Sequence, residues 1–464
     1  MFEPETYSER RAWLRERVGD GIVLLPGNRA SPMNFAANLY PFRQDASFLY
    51  FFGLDRPDLA GTVDLDDGGA TLYGDDAALE ETVWTGPASS VADEAARAGV
   101  ARTRPRGRLV DDLRQAVERG RAVHFLPQYR ADNAILLEEA LGIPAARASE
   151  HASATLRNAV IALRAVKTTA EIEQLDRAAT LSARVHVAAM HRTRPGALER
   201  EVVATIEALA TAQGAPLAYP VICSRHGEIL HNDSRDGRLE ADDLVLCDAG
   251  VESPLHYAGD VTRTWPADGR FTQRQREVYE MVLQVQQAAI TAVRPGVPFR
   301  ELHLQAARGL ATGLRDLGLM RGDVDEAVAA GAHALFFPHG LGHMLGLDVH
   351  DLEALGEDHV GYDAEFERSS RFGLSNLRLA RRLEPGFALT IEPGLYFIPG
   401  LIDRWREERR HEAFIDYAAV ERYRDFGGIR IEDDVVVLDT GHRVLGEPLV
   451  KEVDDLEATV RAHA

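Results

Sequence analysis

Short apolar runs separated by helical stretches organise the first third of the chain. "GIVLLPG" at 21–27, "ATLYG" at 70–74 and "AVHFLP" at 122–127 each have the length of a buried strand, which predicts an α/β domain. The rhythm changes near 155–190, in "LRNAVIALRAVKTTAEIEQLDRAATLSARVHVAAM". Here Thr168 or Thr169 is expected to cap a long amphipathic helix, with Glu171 and Glu173 in its first turn. The domain boundary is placed at this change, giving 1–160 and 161–464. Beyond it, "RPGALEREVVATIEALA" from Arg194 and "RPGVPFRELHLQAARGLA" from Arg294 echo one another, each a Pro-Gly turn opening an amphipathic helix. Acid-bearing β segments follow each: "LVLCDAG" and "YAGDVTRTWP" after the first, "FALTIEPGLYF" and "GIRIEDDVVVL" after the second. Two similar halves, both supplying carboxylates, are the expectation.

Alternation along a strand puts positions two apart on one face. Leu244, Leu246 and Asp248 therefore share a face, as do Ala388, Thr390 and Glu392, and likewise Arg430 and Glu432. Each segment turns one acid inward. A buried carboxylate is costly unless paired, protonated or bound to a cation, and converging acids repel, so a shared divalent ion is the least costly remedy. Oxygen-rich ligands with an imidazole suit Mn²⁺, Co²⁺, Zn²⁺ or Fe²⁺. Taken singly, each acid has a plainer reading as a turn residue or a solvated strand end. Periodicity alone reaches a candidate metal site in an α/β protein.

"HGLGHMLGLDVHD", 339–351, carries three histidines in a stretch too rich in glycine for a good helix. Each glycine in a helix interior costs about 1 kcal/mol relative to alanine, so a metal-binding helix with histidines four apart is a poor reading.

Composition narrows the classes. The 45% hydrophobic and 27% charged shares are those of a protein able to build a full core. A net charge of -21, with no basic stripe, argues against nucleic acid as a partner. No export signal and no membrane span is recognised, so a cytoplasmic protein is expected. Cys223 and Cys247 lack the spacing of a zinc site and read as reduced core thiols. Lys167 and Lys451 are the only lysines, a bias that fits either genome composition or a salt-adapted proteome.

The ordered series "DAG", "GDVTRTW", "HGLGHMLGLDVHD", "LTIEPGLYF" and "GIRIEDDVVV" resembles the signature of the pita-bread metallopeptidases, in their aminopeptidase P and prolidase branch. The resemblance spans 165–450, and "YPFRQDASFLYFFGLDRPD" at 40–58 resembles the smaller N-terminal domain of that branch. It implies an N-terminal α/β domain followed by a pseudo-twofold pita-bread domain, α/β (α+β) in class. It implies hydrolysis of Xaa-Pro bonds in peptides or dipeptides by a homodimer or homotetramer. Two divalent ions, manganese foremost with cobalt or zinc as alternatives, would be held by Asp248, Asp260, His343, Glu392 and Glu432, with Asp260 and Glu432 bridging. Glu392 would double as general base. His350 and His231 would hydrogen-bond the reacting carbonyl or the tetrahedral intermediate, and His339 would complete the set of active-site histidines.

The loop "AGVESPLHYAG" between Asp248 and Asp260 departs from the pattern by one extra residue, expected at a hairpin tip. His226 and His256 match no role and are read as surface residues. Arg378, fourteen residues before Glu392, resembles the carboxylate-binding arginine of prolidases, the plain alternative being an exposed helix arginine. Arg430 is a second substrate-binding candidate. Arg378 and the long insert between Glu392 and Glu432 lean toward prolidase, with aminopeptidase P acting on longer peptides as the alternative. A creatinase-like hydrolase without metal, a non-catalytic module of the same fold and methionine aminopeptidase are more distant readings.

Overall fold

The computed structural model describes residues 1–462. They form two compact units, Met1–Arg164 with Leu352–His359, and Ala165–Asp351 with the chain from Val360 onward. The first unit takes in most of the helix Ala154–Ala165. It also takes up 352–359, a segment the sequence left with the second.

In the first unit, β1 (Ile22–Pro26), β2 (Ala60–Asp64), β3 (Ala70–Tyr73), β4 (Arg102–Arg104) and β5 (Val123–His124) form one mixed sheet in the order β4-β3-β2-β1-β5. Three of these are the strands expected from the apolar runs. The third is cut short because the Phe125 carbonyl is taken by the Ser153 N–H instead of a ladder. β4, "RTR", is exposed throughout and carries no apolar signal. In the "YPFRQDASFLYFFGLDRPD" segment, Asp45 caps the helix Ala46–Phe52 and Gly53 ends it in the left-handed conformation. Its last carbonyls, Tyr50 and Phe51, accept from the buried Arg10 and Arg11.

The second unit repeats a plan. The helices Thr169–Arg192 and Glu199–Ala212 precede one antiparallel sheet, β6 (Ile222–Ser224), β7 (Leu244–Asp248) and β8 (Thr262–Pro266). The helices Gln273–Ala292 and Phe299–Asp316 precede a second, with β9 (Ala388–Ile391) and β13 (His442–Val444) flanking β12 (Asp433–Val437). A two-stranded ladder joins β10 (Gly394–Tyr396) and β11 (Gly428–Arg430). Thr168 caps the first helix in a full capping box with Glu171. The two Pro-Gly turns are equivalent in detail: Gly196 and Gly296 both have positive φ, and their N–H groups donate to Leu239 and Leu383. Single bridges Leu198↔Arg238 and Pro298↔Arg382 follow. The echo in sequence is an echo in backbone.

Cys223 and Cys247 are buried, unbridged and directly opposite across β6 and β7. Among the described residues no helix is long and apolar enough to cross a membrane. His303 and His333 are buried with no hydrogen-bond partner on either ring nitrogen. Burial lowers their pKa to about 3 and about 4, below the ordinary 6.5, so both are neutral at pH 7. The unfolded chain then binds more protons in acid, and stability is lost as pH falls below about 6.5. The ring of His303 lies 5.2 Å from Phe337, a setting that suits His303→Phe. Urea unfolding at pH 7 and pH 5 should show the wild type losing about 2 kcal/mol more than this variant over that interval. An equal loss in both proteins would refute the assignment.

Candidate active site

Three of the expected acids sit where strands end or break. Asp248 is the last residue of β7, Glu392 lies between β9 and β10, and Glu432 lies between β11 and β12. Pro393 has no N–H to give a ladder, which separates β9 from β10. Asp260 precedes β8 rather than lying in a strand, a correction to the reading of "YAGDVTRTWP" as one β segment. Its backbone N–H is fixed by Asp434 Oδ2 at 3.0 Å. The loop between Asp248 and Asp260 closes with the bridge Glu252↔Ala258, so its tip turns over Ser253–Tyr257 and leaves both acids at its ends.

The histidine segment is an irregular loop, and its glycines serve close approach. A Cβ on Gly342 would lie 2.0 Å from the Thr390 carbonyl oxygen, and one on Gly346 2.3 Å from Asp351 Oδ2. Strand β9 supports the loop at Met344↔Leu389, while the His343 N–H donates to Thr390 Oγ1 and the Thr390 N–H to the His343 carbonyl. His343 Nδ1 faces the Met344 carbonyl at 3.0 Å, which assigns its proton there and turns Nε2 toward Asp260 Oδ2 at 3.3 Å and Glu392 Oε1 at 3.7 Å.

Asp260, His343 and Glu432 each offer a ligand atom within 4.8 Å of the others. Asp248 and Glu392 stand beside this group and line the same cavity of about 230 Å³. Asp248 is held by Arg430 Nη2 at 2.6 Å and by the Tyr219 hydroxyl at 2.6 Å. The cavity is also lined by His231, His339, His350, Arg378 and Arg430. All the residues singled out in the sequence for catalysis, substrate or metal thus reach one space. Arg378 lies in irregular chain rather than on an exposed helix, and His231 is exposed at the cavity's edge. His226 is on the surface as expected. His256 is not: it is largely covered, with Nδ1 2.6 Å from Glu252 Oε2, because the hairpin tip folds its ring back on that acid.

Electrostatics explain why this cluster suits a cation. Burial and the neighbouring acids push Glu392 up to about 7 and Glu432 well above the carboxylate range. Burial also raises Asp260. Burial works against a charged His343, but the Asp260 and Glu392 carboxylates outweigh it and raise its pKa. Protons accumulate where positive charge is wanted. The donor set of buried carboxylate oxygens and one imidazole Nε2 fits a divalent metal.

Sequence reasoning missed Tyr219, Thr262 and Tyr396. The Tyr219 hydroxyl lies between Asp248 and Asp260, with one proton to donate to either carboxylate, and Thr262 Oγ1 donates to Glu432 Oε2 at 2.6 Å. Tyr396 accepts from Arg430 Nη1 at 3.0 Å and bonds His339 Nε2 at 2.8 Å, while His339 Nδ1 meets the Gly340 carbonyl. Parity would have found Tyr396, two and four residues beyond Gly394 and Glu392. Tyr219 lies outside any strand and carries no such signal. Burial lowers His339 to about 3, and burial with the adjacent His343 lowers His350 to about 2, so both rings are neutral.

Residues 173–439 match the model of metallopeptidase family M24, and residues 7–124 that of the aminopeptidase P N-terminal domain. The chain is 32% identical to the Xaa-Pro aminopeptidase of Escherichia coli, over 99% of this chain and 98% of that protein. It is 31% identical to the human Xaa-Pro dipeptidase, over 94% and 88%. Zinc-substituted E. coli aminopeptidase P in complex with product superposes with a TM-score of 0.82 at 32% identity, covering 100% of this chain and 99% of that one.

Proposed function

The chain belongs to metallopeptidase family M24, in its Xaa-Pro peptidase branch with the pita-bread fold, and we propose that it acts as an aminopeptidase P, releasing the first residue of peptides that carry proline second. The observation that carries this reading is the aminopeptidase P N-terminal domain at 7–124 joined in one chain to the cavity described above. Asp248, Asp260, His343, Glu392 and Glu432 would together hold two ions, with Glu392 on the side of His343, whose Nε2 lies 3.7 Å from Glu392 Oε1. Manganese is the proposed ion, with cobalt or zinc suited to the same donors. Bound ions supply Lewis acidity, activating water near neutral pH and polarising the scissile carbonyl.

The side chains supply the rest. Glu392 accepts the proton of the attacking water and passes it to the leaving proline nitrogen. Burial favours its protonated form and bound cations its ionised form, a balance that suits both halves of the transfer. His350 and His231 donate hydrogen bonds to the carbonyl oxygen as charge develops on it. Arg430 and Tyr396 hold Asp248 and His339 in place through the bonds above. A bond preceding proline has no N–H, so a site lined here by donors and metal ligands loses nothing by accepting it.

Arg378 favours a second reading. Its place in the cavity suits a bidentate grip on the C-terminal carboxylate of a dipeptide, which would make the enzyme a prolidase. Rates on Ala-Pro and Ala-Pro-Ala with the Mn²⁺-loaded enzyme and its Arg378→Ala variant separate the two. Aminopeptidase P action predicts the tripeptide as the better substrate and a change of no more than about threefold in the variant, well under the effect of losing a charge-assisted pair. Dipeptide preference that the variant abolishes would replace the first reading with the second.

A further inference from the structure

Of the 52 lysine and arginine side chains, only Lys167 and Lys451 are lysines. Both face inward in the second unit. Lys167 donates to Asp351 Oδ2 at 2.8 Å, and each side chain is only 1% exposed. Lys451 donates to Asp433 Oδ2 at 2.6 Å and to Gln286 Oε1 at 3.0 Å. The two acceptors hold corresponding places in the sequence: Asp351 directly follows His350, and Asp433 directly follows Glu432.

The local geometry makes each aspartate a lever on its neighbour. The Asp351 N–H closes on the Met344 carbonyl at 2.9 Å, and its carboxylate occupies the room left by the missing side chain of Gly346. Lys167 thereby fastens the loop that carries His350. Asp433 opens β12, and consecutive residues of extended chain project to opposite sides. With Asp433 fixed by Lys451, Arg263 and Gln286, Glu432 is turned toward the cavity.

The choice of lysine in so arginine-rich a chain has a physical reason. A guanidinium carries five N–H donors in a planar fork, whereas an ammonium is a compact charge with three. The buried Arg263 shows what the former demands: it meets the carbonyls of Thr262, Glu432, Leu449 and Val450 as well as Asp433. The acceptors beside Lys451 are one carboxylate oxygen and one amide oxygen, and the contact of Lys167 is to one carboxylate. At Lys167, only 1% exposed, an arginine would leave donors buried and unmet, and at Lys451, 22% exposed, its fork would exceed the two acceptors that face it.

We propose that Lys167 and Lys451 are positioning residues of the peptidase site, each pinning the aspartate after a site residue and so setting the direction of His350 and of Glu432. The inference rests on the assignment of those two residues to the site. Lys167→Arg, Lys167→Met, Lys451→Arg and Lys451→Met in the full chain test it, with folding followed by circular dichroism. Calorimetric Mn²⁺ titration of the demetallated protein needs no turnover. The Lys451 variants should bind Mn²⁺ about tenfold more weakly. The Lys167 variants should keep that affinity, shift the ring ¹⁵N resonances of His350, and lower kcat about tenfold with KM little changed.

A role limited to charge or stability predicts that both arginine variants restore wild-type behaviour, and that result overturns the proposal. So do folded variants with wild-type Mn²⁺ affinity, kcat and His350 resonances. Should Lys167→Met not fold, Lys167→Arg decides for that position. A wild type that fails to cleave Xaa-Pro peptides removes the functional reading alone, since affinity and resonances still decide the inference.

Discussion

Glu392→Gln should lower kcat on a proline peptide by about a thousandfold, within the range lost with a general base. The substitution keeps the volume of the side chain at the break between β9 and β10, so the cavity and the bond between His343 and Thr390 stay as they are. What it removes is acceptance of a proton, together with the negative charge the carboxylate offers to a cation. Glu392 is also a candidate ligand, so the assay is run at saturating Mn²⁺, where weaker binding is compensated. Under those conditions KM should move by no more than a few-fold, because substrate contacts from His350 and His231 are untouched. A variant retaining more than about a tenth of wild-type kcat would place the proton transfer on another group.

Chelation of divalent ions should abolish hydrolysis and lower the thermal midpoint, and the loss of stability should be larger at pH 8 than at pH 5. The sign follows from the carboxyl groups. Without a cation, Glu392 has its pKa raised to about 7, so the stability linked to it is complete below the unfolded value near 4.5 and is lost as pH rises through 7. Glu432, Asp260 and His343 are raised too and act in the same sense. Each group that responds fully contributes about 1.4 kcal/mol per pH unit. A cation replaces the protons, and one present at a thousandfold over its Kd adds about 4 kcal/mol. The acid sensitivity of His303 and His333 is common to both forms and cancels in the difference. Equal shifts in midpoint at pH 5 and pH 8, measured by calorimetry with and without Mn²⁺, would refute a carboxylate cluster that trades protons for metal.

Much of the site was legible because its chemistry is local in the chain. Asp248 at the end of an apolar run, Glu392 before Pro-Gly, and His343 among glycines are recognisable by neighbours and order alone, and the cavity holds them all. The helix cap at Thr168 and the paired Pro-Gly turns were legible for the same reason, since caps and turns are satisfied within a few residues. Tyr219, Thr262 and the true setting of His256 were not. Their partners are reached only after the chain has doubled back: Tyr219 joins Asp248 and Asp260 from outside any strand, and Thr262 meets Glu432 170 residues away.

Side-chain alternation holds in parity but not in extent: the β segments "FALTIEPGLYF" and "GIRIEDDVVVL" are each broken at their glutamate. A proline without an N–H interrupts the first, and in the second Glu432 is claimed across the gap by Thr262 rather than by a ladder.

The sequence by itself determined the class of fold and the order of the acids and histidines, because these depend on residue type, period and spacing, and the resemblance of its ordered motifs to a known family implied the chemistry. Tertiary structure alone decided which atoms face one another. It set Arg430 and Tyr219 on Asp248, turned the Nε2 of His343 toward Asp260, and raised the acids' pKa values, since burial and mutual repulsion arise only when distant segments share one poorly hydrated space.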